Sequence, residues 1–163
     1  MGGVPLALTP VEESKMYSVV LFLHSWVRWL VVIAAVAAVG RAFYGWLGKK
    51  GWTRLDDQLG LLFSTSLDVQ MLLGLVLYFF LSPITTAAFK NLGAAMSNPI
   101  MRFFTVEHIF YMIIAVVLGH VGRTLAKKAT ETMARHRVSA ILYGLAVVII
   151  LLAIPWSRPL FRL

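Results

Sequence analysis

Four long apolar stretches constrain what this chain can fold into. They cover roughly residues 17–39, 59–81, 103–122 and 138–155. Each holds about 18–23 residues, enough for an α-helix rising about 1.5 Å per residue to cross a hydrocarbon layer of about 30 Å. Hydrophobic residues make up 60% of the sequence and charged residues 13%, a balance that a soluble domain of this size cannot hide from water. The sequence therefore predicts an all-α integral membrane protein, a single transmembrane domain over residues 1–163 folded as an up-down four-helix bundle.

Basic residues concentrate in two of the three connections between these stretches. The net charge of +8 would suggest nucleic acid in a soluble protein, but its placement here follows the positive-inside rule, so we expect no nucleic-acid partner. The rule predicts that the first and third connections face the cytoplasm and that both termini lie outside, on the periplasmic side. The basic residues are Arg41, Lys49, Lys50 and Arg54 around the first connection, and Arg123, Lys127, Lys128, Arg135 and Arg137 in the third.

The absence of cysteine and of common catalytic motifs restricts the kinds of site that the chain can form. The sequence has no cysteine, which excludes disulfides, thiolate metal sites and covalent haem attachment through Cys-x-x-Cys-His. It also has no phosphate-binding loop, H-E-x-x-H motif or nucleophile–base arrangement. We therefore do not expect the chain to act as an enzyme on its own.

Two histidines, His24 and His108, lie inside separate apolar stretches, seven and five residues respectively after the stretch begins. Ionisable groups are costly in lipid, so each is a candidate functional residue. In an up-down bundle the first and third helices are parallel and diagonal, which puts both histidines at one depth, about 10 Å below the outer boundary by helical rise. Two facing imidazoles can ligate the iron of a b-type haem. The alternative is that each histidine makes a hydrogen bond between helices.

Small residues follow each histidine at helical spacing, and they predict a slot for a flat macrocycle between the diagonal helices. Close helix packing alone is the competing explanation for the same pattern. The small residues are Ala35 and Ala38 in the first stretch, and Ala115 and Gly119 in the third.

His120 and His136 form a second, weaker candidate pair near the basic connections. A haem there would make this a two-haem protein. Twelve residues separate His108 from His120, which turns a helix by about 120°, so the two cannot both point into the bundle. His136 has basic neighbours, and we expect it to be solvated or to face lipid headgroups.

Arg28 and Asp68 both fall near the middle of their predicted helices, close to the bilayer midplane. A buried ion pair between them is the favoured interpretation, and a proton path through Asp68 and Ser64 is the alternative. Arg28 or Arg102 could also lie near haem propionates. Glu107 competes as a partner for Arg28 or as an acceptor that orients an imidazole.

Several short strings resemble those of short bacterial membrane proteins labelled cytochrome b-like, and they touch all four apolar stretches. The resemblance implies a four-helix fold in a bacterial inner membrane and haem b as cofactor, with His24 and His108 as ligands. A looser similarity is to copper-resistance-D-like membrane proteins. The strings are Leu23-His24-Ser25-Trp26-Val27-Arg28-Trp29, Gln70-Met71-Leu72-Leu73-Gly74, Arg102-Phe103-Phe104-Thr105-Val106-Glu107-His108 and Ile154-Pro155-Trp156.

These observations predict a small b-type cytochrome, or a cytochrome-like subunit, that transfers electrons within a larger bacterial respiratory or photosynthetic complex. Its expected partners are the lipid bilayer and other subunits of that complex, and a quinone is a further candidate. One alternative is a cofactor-free accessory subunit whose polar residues serve helix packing. A third option is pigment or copper binding, since a single histidine can hold either a chlorophyll magnesium or a copper ion.

Overall fold

The computed structural model describes residues 10–158, and within that range the four apolar stretches form four helices long and apolar enough to cross a membrane. This confirms the predicted all-helical membrane fold. The elements are α1 (Pro10–Leu47), α2 (Arg54–Val76) with a π-helical turn at Leu77–Leu81, α3 (Pro83–Lys90), α4 (Leu92–Ser97), α5 (Pro99–Arg102), a second π-helical turn at Phe103–Glu107, α6 (His108–Lys128) and α7 (Thr132–Ala153).

The helices extend further than the apolar stretches that predicted them. α1 begins at Pro10 instead of 17, α6 continues to Lys128 instead of 122, and α7 begins at Thr132 instead of 138. Lysine and arginine have good helix propensity, so a helix does not end where its apolar run ends. As a result, His136, which precedes the fourth apolar stretch, belongs to α7.

The four long helices form a ring in the order α1, α2, α6, α7. α1 packs against α2 and α7, and α6 packs against α2 and α7, so α1 and α6 are diagonal. The end of the bundle that carries the connections 48–53 and 129–131 is called here the basic end. The other end, which carries α3, α4 and α5, is called the opposite end.

Small residues close the middle of the bundle. Ala35, Ala38 and Ala115 are buried in one core cluster with Phe63. A Cβ on Gly119 would lie 2.9 Å from Cδ1 of Leu67, so this glycine is needed for close approach of α2. Helix packing therefore fills the part of the predicted slot that lies around Ala35, Ala38, Ala115 and Gly119.

Two hydrogen bonds, one between the π-helical turns and one from α3 to the first of them, shape the opposite end. The Tyr78 hydroxyl donates to the carbonyl oxygen of Thr105 over 2.8 Å, and the Thr85 hydroxyl donates to the carbonyl oxygen of Tyr78 over 2.7 Å. A π turn adds a residue to the helical repeat and so redirects the side chains that follow it. His108 comes directly after the second of these turns.

Candidate cofactor site

His24 and His108 face each other across the bundle. Their ring centres lie 6.3 Å apart and the ring planes are inclined by 67°. Both side chains line a cavity of about 150 Å³. The cavity reaches from Val31 and Val116 in the core to Thr85 and the end of α7. The structure therefore brings the predicted pair together, and their role as metal ligands stays a prediction.

The end of α7 fixes the orientation of the His108 ring. Nδ1 of His108 lies 2.8 Å from the carbonyl oxygen of Ala153. A carbonyl only accepts, so Nδ1 carries the proton and Nε2 keeps its lone pair. Histidines that bind metals usually donate their second ring nitrogen to a carbonyl or carboxylate in this way.

Gln70 of α2 holds the His24 region of α1. Its amide nitrogen donates to the His24 carbonyl oxygen over 3.0 Å and lies 3.2 Å from the ring nitrogen Nε2. The other ring nitrogen, Nδ1, is buried with no hydrogen-bond partner among the described residues. An amide N–H only donates, so Nε2 accepts from Gln70 and Nδ1 carries the proton; a metal ion would bind Nδ1 only after that proton is lost or moves to Nε2.

Gly74 makes room for the His24 ring. It lies one turn after Gln70 on α2, and a Cβ at this position would be 3.2 Å from Cε1 of His24. That distance is tighter than an ordinary van der Waals contact. A larger residue at position 74 would therefore push the imidazole out of its present position.

Two arginines line the same cavity. Arg28 lies about one helical turn from His24, and Arg158 follows α7 with its guanidinium 4.7 Å from the ring centre of Phe104. Arg102, predicted beside a cofactor, instead forms an exposed ion pair of 2.8 Å with Glu107 and does not line the cavity. Glu107 is five residues after Arg102 on the same helical stretch, within reach of its guanidinium, and a role for Arg102 beside a cofactor stays a prediction.

Asp68 pairs with His120 and not with Arg28. The carboxylate oxygen Oδ1 lies 2.7 Å from Nε2 of His120, on the outer surface where α2 meets α6. The predicted Arg28–Asp68 pair is therefore wrong: Arg28 points to the cavity, and Asp68 lies on another side of its helix. Ser64, the other member of the suggested proton path, is buried and donates to the carbonyl oxygen of Leu61 within its own helix.

The second predicted histidine pair is not formed, because His120 is bonded to Asp68 while His136 lies inside the basic end. His136 is 0% exposed, with its ring centre 4.8 Å from that of Trp52 and the ring planes tilted by 48°, and its Nδ1 lies 3.9 Å from the carboxylate of Asp56. The expectation that His136 is solvated is wrong. His136 lies about one turn after the start of α7, and Gly45 of α1 leaves space for its ring.

The distance between the ring centres of His24 and His108 matches the one that a bis-histidine metal centre requires. Bonds from a metal ion to imidazole nitrogen are about 2.0–2.1 Å, so two imidazoles on opposite sides of one ion have ring centres about 6 Å apart. The open volume equals that of a cavity that holds one benzene ring. A macrocycle can therefore bind in this cavity only if lining side chains move. Met71, Met112 and Arg158 line the cavity and have flexible side chains.

No family model, curated protein or solved structure matches this chain.

Sequence reasoning missed four residues of the site, Gln70, Gly74, Tyr78 and Arg158. Gln70 carried a usable signal, since an amide inside an apolar stretch is a costly polar group like the histidines. Arg158 carried none, because nothing in a terminal segment indicates that it folds back over a cavity.

Proposed function

We propose that this protein is a small b-type cytochrome of a bacterial inner membrane, with one haem b held by His24 and His108. The observation that carries the proposal is the facing pair of half-buried imidazoles, with ring centres 6.3 Å apart, on diagonal helices. A bound haem would supply one-electron transfer at a potential set by its axial ligands and surroundings.

Each neighbour of the pair has a defined task in this proposal. The Ala153 carbonyl oxygen holds the ring proton of His108 on Nδ1 and so leaves the lone pair on Nε2, the atom that would ligate iron. Gln70 ties the His24 backbone to α2 and so holds the spacing between the histidines. Arg28 and Arg158 provide the positive charge that would offset propionate carboxylates next to an apolar cavity.

The basic end faces the cytoplasm in this proposal, following the positive-inside rule. The histidine site then lies nearer the outer side, and both termini are periplasmic. The described chain is built of membrane helices, so the proposed electron donor and acceptor belong to other subunits of a respiratory or photosynthetic complex, with a quinol-linked donor in the membrane.

A cofactor-free accessory subunit is the second candidate. The observation that favours it is that both imidazoles already have partners within the bundle, His24 through Gln70 and His108 through Ala153. In that case the two histidines act as hydrogen-bonding groups between helices, as polar residues in membrane helices often do.

The reduced-minus-oxidised absorbance spectrum separates these candidates. The protein is expressed in a haem-sufficient bacterial host and purified in mild detergent, and we expect a b-type α-band. His24→Ala and His108→Ala should each lose most of that band, whereas His120→Ala, a matched control outside the cavity, should keep it. A wild-type protein that is well folded and haem-free would overturn the cytochrome proposal and favour the accessory subunit. A band retained in both cavity variants would overturn the ligand assignment.

A further inference from the structure

Asp68 and His120 form an ionisable pair on a surface that faces lipid in the single chain. Their side chains are 45% and 46% exposed, and the pair lies where α2 and α6 meet on the outside of the bundle. Asp68 is 14 residues after Arg54 and 13 before Leu81, so it is at the middle of its 28-residue membrane helix. Ionisable side chains at that depth almost always face protein or water, not lipid.

Two threonines enlarge this polar surface. Thr65 precedes Asp68 by three residues on α2, and Thr124 follows His120 by four residues on α6, and both are exposed. α2 and α6 are antiparallel, so both threonines lie on the side of the pair nearer the basic end. The four residues Thr65, Asp68, His120 and Thr124 are called here the outer polar patch.

Exposed apolar side chains surround the outer polar patch, among them Leu61, Leu72, Val117 and Val121. A polar centre with an apolar rim is suited to association within a membrane, where hydrogen bonds between helices add to van der Waals packing.

We infer that the outer polar patch is the interface of a symmetric homodimer. The Asp68–His120 bond uses one carboxylate oxygen and one ring nitrogen, and each residue has a second such atom. A copy related by a two-fold axis along the membrane normal presents the same pair at the same depth. Its histidine then meets the carboxylate of the first chain, and its carboxylate meets the histidine, which is the self-complementarity that a two-fold interface requires.

A second copy of this chain is favoured over another partner by this complementarity. A different membrane protein would need its own donor and acceptor at the same depth, whereas a second copy supplies both without any further assumption. The inference does not depend on haem, since the patch lies outside the histidine cavity.

Disulfide cross-linking in native membranes tests the inference, and the absence of native cysteine removes background. Single-cysteine variants are made within and around the patch at Thr65, Leu72, Val117 and Thr124. A disulfide requires Cα atoms about 4.4–6.8 Å apart, so only positions near the axis can react. The matched control is Leu145→Cys, which is 49% exposed on α7 and 13 residues after that helix begins.

We expect one or more patch variants to give a dimer of twice the chain mass at several-fold the yield of Leu145→Cys. Adding Asp68→Leu with His120→Leu should reduce that yield several-fold. Yields no higher than the control at all four positions would overturn the inference, and so would a linked product containing a different protein. The single-cysteine results in the otherwise wild-type chain stand even if the double leucine variant does not fold.

Discussion

His108 donates its Nδ1 proton to the carbonyl oxygen of Ala153 over 2.8 Å. Ala153 is the last residue of α7, and carbonyls in the last turn of a helix have no partner within that helix. The bond therefore satisfies the end of α7 and sets the tautomer of His108 at the same time. One contact connects helix termination to the chemistry proposed for the cavity.

Gln70 is expected to stabilise the bundle through its bond to His24. Gln70→Leu removes the amide that bonds the His24 carbonyl and ring, and hydrogen bonds between membrane helices contribute about 0.6–2 kcal/mol. We expect the free energy of unfolding in mixed micelles to fall by about 1 kcal/mol. Gln58→Leu, on the exposed side of the same helix, should leave it unchanged, and equal effects of the two substitutions would contradict the assigned role.

Gly74 is expected to control the position of the His24 ring. Gly74→Val places carbon atoms where a Cβ is already 3.2 Å from the imidazole, so the ring must move. We expect the variant to remain helical by circular dichroism but to hold several-fold less haem per chain than the wild type. The control is Gly144→Val, at a glycine with open space around its Cβ position. Full haem content in Gly74→Val would show that His24 is not held where the structure places it.

Gly45 is expected to tolerate no side chain. A Cβ at this position would overlap the imidazole of the fully buried His136. Overpacking of this kind costs about 1–3 kcal/mol, so Gly45→Ala should lower the thermal midpoint of unfolding. Gly40→Ala on the same helix has free space and should be neutral or stabilise by up to about 1 kcal/mol. Indistinguishable midpoints for the two variants would contradict the close contact between α1 and α7.

Asp56 is expected to be the main electrostatic contact of the basic end. Its carboxylate accepts from Nε of Arg41 over 2.9 Å and from the backbone N–H of Thr53 over 2.7 Å, so it joins α1 to the start of α2. Asp56→Asn removes the charge and leaves Arg41 without its counter-ion. We expect a loss of about 1.5–3 kcal/mol in chemical denaturation, whereas Asp57→Asn beside it should cost little. A similar loss in both variants would argue against a specific role for the Arg41–Asp56 pair.

The sequence predicted the membrane helices well because apolar length is a property of each segment alone. Residues 17–39 became part of α1, and residues 59–81 lie in α2 and the π turn after it. The same reasoning located His24 and His108 at one depth, since depth along a helix follows from counting residues.

The partners of the polar residues were not predictable in this way, because depth does not specify which side of a helix faces inward. Asp68 and Arg28 have similar depths, yet Asp68 lies on the α6 side of α2 and bonds His120. His136 was misjudged for a related reason. Its basic neighbours suggested solvent, but Gly45 and Trp52 enclose it in the bundle.

The central claim is that His24 and His108 hold one haem between them, and electron paramagnetic resonance of the oxidised protein tests it most directly. We predict a low-spin ferric signal with one haem per chain. In His108→Gly the signal should become high-spin, and added imidazole should restore the low-spin form, while His120→Gly should match the wild type. A low-spin signal that persists in both His24→Gly and His108→Gly without added imidazole would contradict the claim.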